Sequence, residues 1–130
     1  GKYSRFKLDP YFSEQQFLSL YEMWCDNSLN NQFADLSIGL KNADGQISGI
    51  LTLAFKETTC HIGLIAVAPN QQGLGIGSRL LNLAEFISLE KGCDCIHVPT
   101  QLINAQALSF YEKNGFKRIK VEHIYHLWKR

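Results

Sequence analysis

A short apolar run that ends in a glycine-rich turn constrains this chain more than any other part of its sequence. The run spans residues 62–67, and after Ala68-Pro69-Asn70 the chain continues as Gln72-Gly73-Leu74-Gly75-Ile76-Gly77-Ser78. An amphipathic segment follows, so the pattern predicts a strand that leads through the turn into a helix. The amides of such a turn and the positive end of the helix dipole point the same way, which favours an anion. The glycines let the backbone approach a phosphate closely.

The spacing of these glycines excludes two common phosphate-binding motifs. A P-loop ends in Gly-Lys-Ser/Thr, whereas Gly77-Ser78-Arg79 contains no lysine. A dinucleotide-binding fingerprint needs G-x-G-x-x-G, whereas Gly73 and Gly75 are followed directly by Gly77. A turn that merely joins a strand to a helix is the remaining alternative, and the residues near the end of the chain weigh against it.

The rest of the chain predicts a mixed order of helices and strands. Ser13 and Gln16 have the spacing of a capping box that opens a helix, whose apolar face carries Phe17, Leu20, Tyr21 and Trp24. The further predicted elements are strands at 33–40, 46–55 and 60–67, the helix after the glycine turn, a strand at 95–98, a helix at 104–113, and one or two strands at 116–121 and 124–128.

Composition places the chain among single globular domains. Its 130 residues are 45% hydrophobic, which is enough for one core and too little for two domains. A net charge of +1 argues against general nucleic-acid binding, and no apolar run reaches the roughly 20 residues of a membrane span. Cys93 and Cys95 lack a second ligand pair at zinc-finger spacing, so we expect no metal site, reduced thiols and a cytoplasmic location.

The glycine turn resembles the pyrophosphate-binding signature Q/R-x-x-G-x-G/A of the GNAT superfamily of N-acetyltransferases. A second segment, from Asn104 to Phe116, resembles the pattern N-x-x-A-x-x-x-Y-x-x-x-G-F near the end of those domains. The order of the predicted elements is similar as well. The resemblance implies an α+β (mixed α/β) fold, the GNAT acyl-CoA N-acyltransferase fold, with a mostly antiparallel central sheet that is splayed at the coenzyme site and flanked by helices.

The same resemblance implies acetyl-CoA as the cosubstrate. The end of the strand would pair with the pantetheine arm, the turn would hold the pyrophosphate, and an asparagine would contact the arm. The implied coenzyme-binding residues are Ile65, Ala66, Val67, Gln72, Gly73, Leu74, Gly75, Ile76, Gly77, Ser78 and Asn104. Tyr111 would donate a proton to the departing thiolate, although a half-buried tyrosine that packs its helix on the sheet has the same pattern.

The implied reaction is a direct attack of a primary amine on the thioester through a tetrahedral intermediate. A backbone N–H near the strand end would polarise the thioester carbonyl, and alignment of the two reactants would supply much of the rate. The sequence contains no obvious general base. His61, Glu57 and His97 are candidates, and deprotonation through water is the alternative.

A looser similarity to the dTDP-fucosamine acetyltransferase group spans nearly the whole chain. It rests on Ser4-Arg5-Phe6, on residues 20–24, on Val98–Asn104 and on Ile124–Trp128. It implies a nucleotide-linked amino sugar as the acceptor, with Arg5 near a diphosphate. His126 and Trp128 would line the acceptor pocket or merely finish a sheet. A protein N-terminus, a polyamine or a drug as the acceptor, and a non-catalytic acyl-CoA sensor, are the alternatives.

We expect residues 1–130 to form a single acetyltransferase domain. GNAT domains usually open with a strand before the first helix, and only Gly1 to Phe12 are available for it here. We therefore expect a fragment that lacks N-terminal residues. The expected partner is a small-molecule amine, with neither nucleic acid nor membrane, and a homodimer is left open.

Overall fold

The computed structural model describes residues 13–26, 34–99, 105–120 and 123–127. Within these ranges the helices and strands follow the predicted order. The elements are α1 (Glu14–Cys25), β1 (Leu36–Lys41), β2 (Ile47–Lys56), β3 (Thr59–Val67), α2 (Ile76–Glu90), β4 (Cys95–Pro99), α3 (Ala105–Lys113), β5 (Lys117–Lys120) and β6 (His123–Leu127). A 3₁₀ turn, Pro69–Gln71, joins β3 to the glycine turn.

The strands of the described residues form one six-stranded sheet in the order β1-β2-β3-β4-β6-β5. Strands β1 to β3 form an antiparallel meander, and β4, β6 and β5 are also joined by antiparallel pairs. The junction between β3 and β4 is parallel. The predicted mixed, mostly antiparallel sheet is therefore confirmed, and its parallel junction lies in the middle.

Alternation along β2 shows which helices cover each face of the sheet. Leu51 and Leu53 are fully buried among residues of α2 and α3, whereas Ile50, which precedes them, is buried against α1. Complete burial of one such side chain contributes about 1.5–3 kcal/mol. Apolar contacts therefore hold α2 and α3 on one face and α1 on the other. No described helix has both the length and the apolar character needed to span a bilayer.

The predicted start of α1 is confirmed, and its predicted apolar face is partly wrong. The Ser13 N–H donates to Gln16 Oε1 at 3.0 Å, and the Gln16 N–H donates to Ser13 Oγ at 3.2 Å, as a capping box requires. Tyr21, however, is exposed, and Met23 is buried in its place. The buried side chains described in α1 recur every third position from Phe17, so the stripe turns away from Tyr21, and the Trp24 side chain lies outside the description.

Candidate functional site

The sheet opens between β3 and β4, as the resemblance of the sequence to GNAT domains implies. The two strands pair only from Thr59 to His61, and the last pair joins His61 to His97. Beyond that pair β3 continues to Val67 beside β2, while β4 continues to Pro99 beside β6. A gap therefore widens from the His61–His97 pair toward the carboxyl ends of both strands.

A β-bulge accounts for the change in direction of β3. Thr52 pairs with Leu64 and Leu53 pairs with Ile62, so Gly63 is an extra residue without a partner on β2. Such an insertion bends its strand and increases the local twist. The bulge lies two residues after His61, where pairing with β4 ends, and it directs the rest of β3 away from β4.

The strand end that the sequence assigns to coenzyme binding lies along this gap. Ile65, Ala66 and Val67 are 0%, 0% and 2% exposed. Ile65 and Val67 pack toward α2, and Ala66 packs toward α1. Because these side chains are buried in the two cores, only the backbone of this segment is available to a ligand.

The glycine turn follows at the open end of the gap and carries two residues in the left-handed region. Gly73 has φ +82° and Gly75 has φ +78°, and a Cβ added to either would have no heavy atom within 4 Å. Side chains other than glycine rarely adopt this backbone conformation. Leu74, between them, is 64% exposed, and Gln72 precedes them in an extended conformation. The turn thus presents bare backbone toward open space.

The first turn of α2 has amides without acceptors. Gly75 is the N-cap residue, and its carbonyl accepts from the Arg79 N–H at 3.0 Å. No side chain caps the helix, and none of the bonds among the described residues engages the N–H groups of Ile76, Gly77 or Ser78. The Ile76 side chain is buried, so this residue also offers only its backbone. Unpaired amides at the positive end of a helix dipole form an anion site.

Helix α3 touches this site through an aromatic ring. A Cβ on Gly77 would lie 2.9 Å from Phe110 Cζ, so the backbone of α2 and the Phe110 ring are in close contact. Tyr111 is the next residue, is 0% exposed, and packs edge-on against Phe110 and Phe116 at centroid distances of 5.2 and 5.6 Å. Complete burial in the core fits the interpretation of Tyr111 as a residue that packs its helix on the sheet. Its role as an acid therefore stays a prediction.

Two candidate bases lie at the closed end of the gap. His61 Nδ1 and His97 Nδ1 are 3.0 Å apart, and the two rings meet edge-on with centroids separated by 5.0 Å. Partial burial, with a smaller effect from Lys56, lowers the pKa of His61 below its ordinary value of 6.5. The sequence named both histidines singly, but nothing in it showed that they touch. Their contact follows from the register of β3 and β4, which pairs His61 with His97.

The other candidates lie away from the gap or outside the described residues. Glu57 is in the turn before β3, ten residues and about 30 Å of extended strand from Val67. His126 donates from Nδ1 to the Gly115 carbonyl at 3.2 Å and lies 3.3 Å from Glu85 Oε2 through Nε2. It joins β6 to α2, which fits the interpretation that it finishes the sheet. Arg5, Asn104 and Trp128, which the sequence also singled out, lie outside the described residues.

A cavity of about 510 Å³ lies elsewhere than this gap. It lies on the α1 face, between α1 and the turns that follow β1 and β3. Phe17, Tyr21, Gln46 and Asn70 are among the residues that line it. It is separated from the His61–His97 pair by most of the length of β3.

Comparison with known proteins identifies the class to which this fold and site belong. Residues 4–116 match the model of the acetyltransferase (GNAT) family. The match covers most of the chain, and the chain belongs to this family. The resemblance drawn from the glycine turn and from the Asn104–Phe116 segment is therefore confirmed.

Several relatives of known name align with most of this chain. The spore coat polysaccharide biosynthesis protein SpsD of Bacillus subtilis is 31% identical over 126 residues, which are 96% of this chain and 43% of SpsD. The dTDP-fucosamine acetyltransferase of Escherichia coli is 29% identical over 113 residues, which are 86% of this chain and 47% of that enzyme. N-alpha-acetyltransferase 30 of Dictyostelium discoideum is 31% identical over 112 residues, with coverages of 82% and 60%. The chain thus spans about half the length of these relatives.

Solved structures agree on the fold. The PaiA N-acetyltransferase of Thermoplasma acidophilum, crystallised with coenzyme A, superposes with a TM-score of 0.68 over 90% of this chain and 80% of its own. The two sequences are 24% identical. This similarity confirms the GNAT fold, including the mixed sheet.

Proposed function

We propose that this domain is an acetyl-CoA-dependent N-acetyltransferase that transfers an acetyl group to a primary amine. The observation that carries the proposal is the position of the uncapped α2 N-terminus at the open end of the β3–β4 gap. An anionic group at the helix terminus can extend a chain into the gap from there. Acetyl-CoA has that form, because its pantetheine arm and thioester continue from a pyrophosphate.

The binding residues act mainly through their backbones. The amides of Gly73 to Ser78 would hold the pyrophosphate, with Gln72 at the entrance of the turn. The free edge of β3 from Ile65 to Val67 would hydrogen-bond to the arm as an added strand does. The bare surface beside Gly73 and Gly75 and the buried side chains of β3 support these assignments. Asn104 is assigned to the arm on the family pattern alone.

The protein's part in the reaction is alignment, polarisation and proton transfer. A backbone N–H along the gap would polarise the thioester carbonyl, as an oxyanion hole does. The sheet would hold amine and thioester in register for direct attack. Tyr111, in the helix whose Phe110 contacts the glycine turn, would protonate the departing thiolate. The contact of the neighbouring Phe110 ring with Gly77, and the packing of Tyr111 on that ring, support this role.

We further propose that the acceptor is a nucleotide-linked amino sugar. SpsD, by its name a polysaccharide-biosynthesis protein, aligns over nearly the whole chain, and the dTDP-fucosamine acetyltransferase aligns over most of it. A protein N-terminus is the second candidate, because N-alpha-acetyltransferase 30 aligns at a similar identity. The two candidates differ in charge, since a nucleotide carrier is anionic whereas a peptide N-terminus is a local cation.

A coenzyme-release assay tests the activity and the acceptor together. The purified domain receives acetyl-CoA and, in parallel, a dTDP-linked amino sugar, a short peptide with a free N-terminus, or spermidine. We expect release of coenzyme A with the amino-sugar nucleotide and a much lower kcat/KM with the other two. Preference for the peptide would favour the second candidate. Binding of acetyl-CoA without release in any of the three would favour a sensor domain.

A further inference from the structure

The imidazoles of His61 and His97 meet where the gap between β3 and β4 closes. Their strands form the last β3–β4 pair at these residues, and both side chains lie on the α1 face, opposite α2. A ligand whose anionic end lies at the N-terminus of α2 extends its other end into the gap. That other end then points toward the histidine pair at the closed end. Both side chains are partly exposed, so they can exchange protons with water.

The contact between the two rings determines how many protons they hold. At an Nδ1···Nδ1 distance of 3.0 Å one nitrogen donates and the other accepts. The pair therefore shares one hydrogen, and it can gain one more proton at the outer nitrogen of the donor ring without breaking the bond. A second added proton would place two N–H groups face to face and break the contact. The pair is thus a one-proton acceptor.

His61 is the ring with an open outer nitrogen. Its Nε2 has no hydrogen-bond partner among the described residues, whereas His97 takes part in further interactions and stacks on Tyr125 with centroids 4.9 Å apart. When His61 donates its Nδ1–H to His97, its Nε2 carries a lone pair. That tautomer gives His61 a basic atom at the end of the gap.

We propose that the His61–His97 pair accepts the proton that the acceptor amine loses during acetyl transfer, with His61 Nε2 as the receiving atom; this assignment rests on the proposed acetyltransferase function. The amine nitrogen bonds to the acetyl carbon, and the carbon–sulfur bond breaks with its electron pair on sulfur. The amine N–H proton passes to His61 Nε2, and the thiolate takes a proton from Tyr111 or from water. The pair then releases its proton to solvent, and Tyr111 or the hydroxide takes one back from solvent, so the net change is amine and thioester to amide and thiol.

The charged neighbours of the pair favour its neutral, proton-accepting form. The titratable side chains described on the same face include Lys56 on β2, Cys95 on β4, Tyr125 on β6 and Lys117, which pairs with Tyr125 from β5. The positive charge of Lys56 opposes protonation of His61, and partial burial opposes it more strongly. Cys95 contacts Thr59 Oγ1 at 3.5 Å and Tyr125 packs on the His97 ring. The direct cross-strand partners of the pair, Ala54 on β2 and Tyr125 on β6, are not carboxylates, and the Asp35 carboxylate before β1 accepts from the Phe55 N–H at 2.8 Å.

Rate–pH profiles of four variants test the assignment. The profiles are measured with the acceptor that reacts fastest in the release assay. His61→Gln should lower kcat by about 10²-fold and leave the acetyl-CoA affinity unchanged. It should also remove the acid limb of the profile, which is the fall in rate toward low pH. His97→Gln should move that limb, because the lone His61 loses its partner. Lys56→Gln should move the limb to higher pH at the same maximal rate, because His61 is no longer near a positive charge. A structural role would not produce that shift.

His126→Gln is the matched control, since it removes an imidazole bonded to Gly115 and Glu85 on the opposite face. It should leave the acid limb in place. A His61→Gln variant with the wild-type profile would overturn the assignment, as would an unmoved limb in Lys56→Gln.

Imidazole ¹⁵N NMR of the free protein separates failure of this proposal from failure of the acetyltransferase proposal. Coupled titration of His61 and His97, with an Nδ1–H tautomer at one of them, is expected and is independent of any acceptor. Two independent titrations would overturn the pair. A wild-type protein that binds acetyl-CoA and acetylates no amine would instead refute the proposed function, and the NMR result would still decide whether the pair takes up one proton.

Discussion

The backbone of Gly77 lies against the ring of Phe110, and no side chain fits between them. An added Cβ would be 2.9 Å from Phe110 Cζ and 3.0 Å from Cε1. Gly77 belongs to the proposed anion site, and Phe110 precedes the proposed acid Tyr111. One close contact therefore sets the spacing between the helix that would hold the pyrophosphate and the helix that would protonate the leaving group.

Replacing Gly77 with Ala tests this contact. Alanine in a helix is usually more favourable than glycine by about 1 kcal/mol. Here the methyl group would force the mostly buried Phe110 ring to move, and such overpacking costs about 1–3 kcal/mol. We expect a lower free energy of unfolding in urea. Asn82→Ala, at an exposed position of the same helix, should be neutral or stabilising. Equal stability gains in both variants would contradict the close contact.

Gly75→Asp tests the phosphate cradle. A carboxylate at the helix N-cap would repel the pyrophosphate, so we expect acetyl-CoA binding to be lost in calorimetry. The matched control is Gly92→Asp at the other end of α2, because Gly92 has φ +81° and equally open surroundings. Both variants bear similar backbone strain, about 1–3 kcal/mol. Only Gly75→Asp should lose affinity, and retained binding in that variant would refute the cradle.

Local patterns predicted the elements of the fold well because their causes are local. The capping box of Ser13 and Gln16 involves residues three positions apart, and the Asn42–Gly45 turn is closed by the Asn42 side chain, which accepts from the Asp44 and Gln46 N–H groups at 3.0 Å. The glycine turn could be predicted for the same reason, because its glycines lie close together in the sequence. Tyr21 was misplaced because helical spacing alone does not define the edge of a buried stripe.

Contacts between distant residues could not be predicted in this way. His61 and His97 are 36 positions apart, and His126 and Glu85 are 41 apart. Whether such side chains meet depends on strand order and register, and a shift of one residue would turn either histidine to the other face. The bulge at Gly63 adds such a shift within β3. The splay itself was predicted only through the family resemblance.

The cysteines should differ sharply in reactivity. Burial raises the pKa of the Cys60 thiol to about 11, and its side chain is fully buried, whereas Cys25 is exposed. At pH 8 the thiolate fraction of Cys60 is on the order of 10⁻³. A disulfide reagent should modify Cys25 first and Cys60 only after unfolding. Peptide mapping checks this order, and rapid labelling of Cys60 in the folded protein would contradict it. Cys25→Ser should lower the background of the coenzyme-release assay.

Stability should fall on acidification through the titration of His61. Partial burial and Lys56 lower its pKa, so between that value and the ordinary 6.5 the unfolded chain binds more protons than the folded one. The free energy of unfolding therefore decreases as pH falls through 6.5 and levels off below the folded pKa. Urea unfolding at pH 8.0, 6.5 and 5.0 measures the slope. His61→Gln should reduce the slope, and Lys56→Gln should reduce it less, because burial is the larger cause. An undiminished slope in His61→Gln would assign it to other groups.

Tyr111→Phe separates the two interpretations of the tyrosine that the fold leaves open. The variant keeps the ring that packs against Phe110 and Phe116, so the core and the acetyl-CoA affinity should be preserved. If the hydroxyl protonates the thiolate, kcat should fall by an order of magnitude or more, within the roughly 10²–10⁴-fold range of acid–base catalysis. Calorimetry and coenzyme release on the same sample compare the two quantities. An unchanged kcat would make Tyr111 a packing residue, and thiolate departure would then be assisted by water.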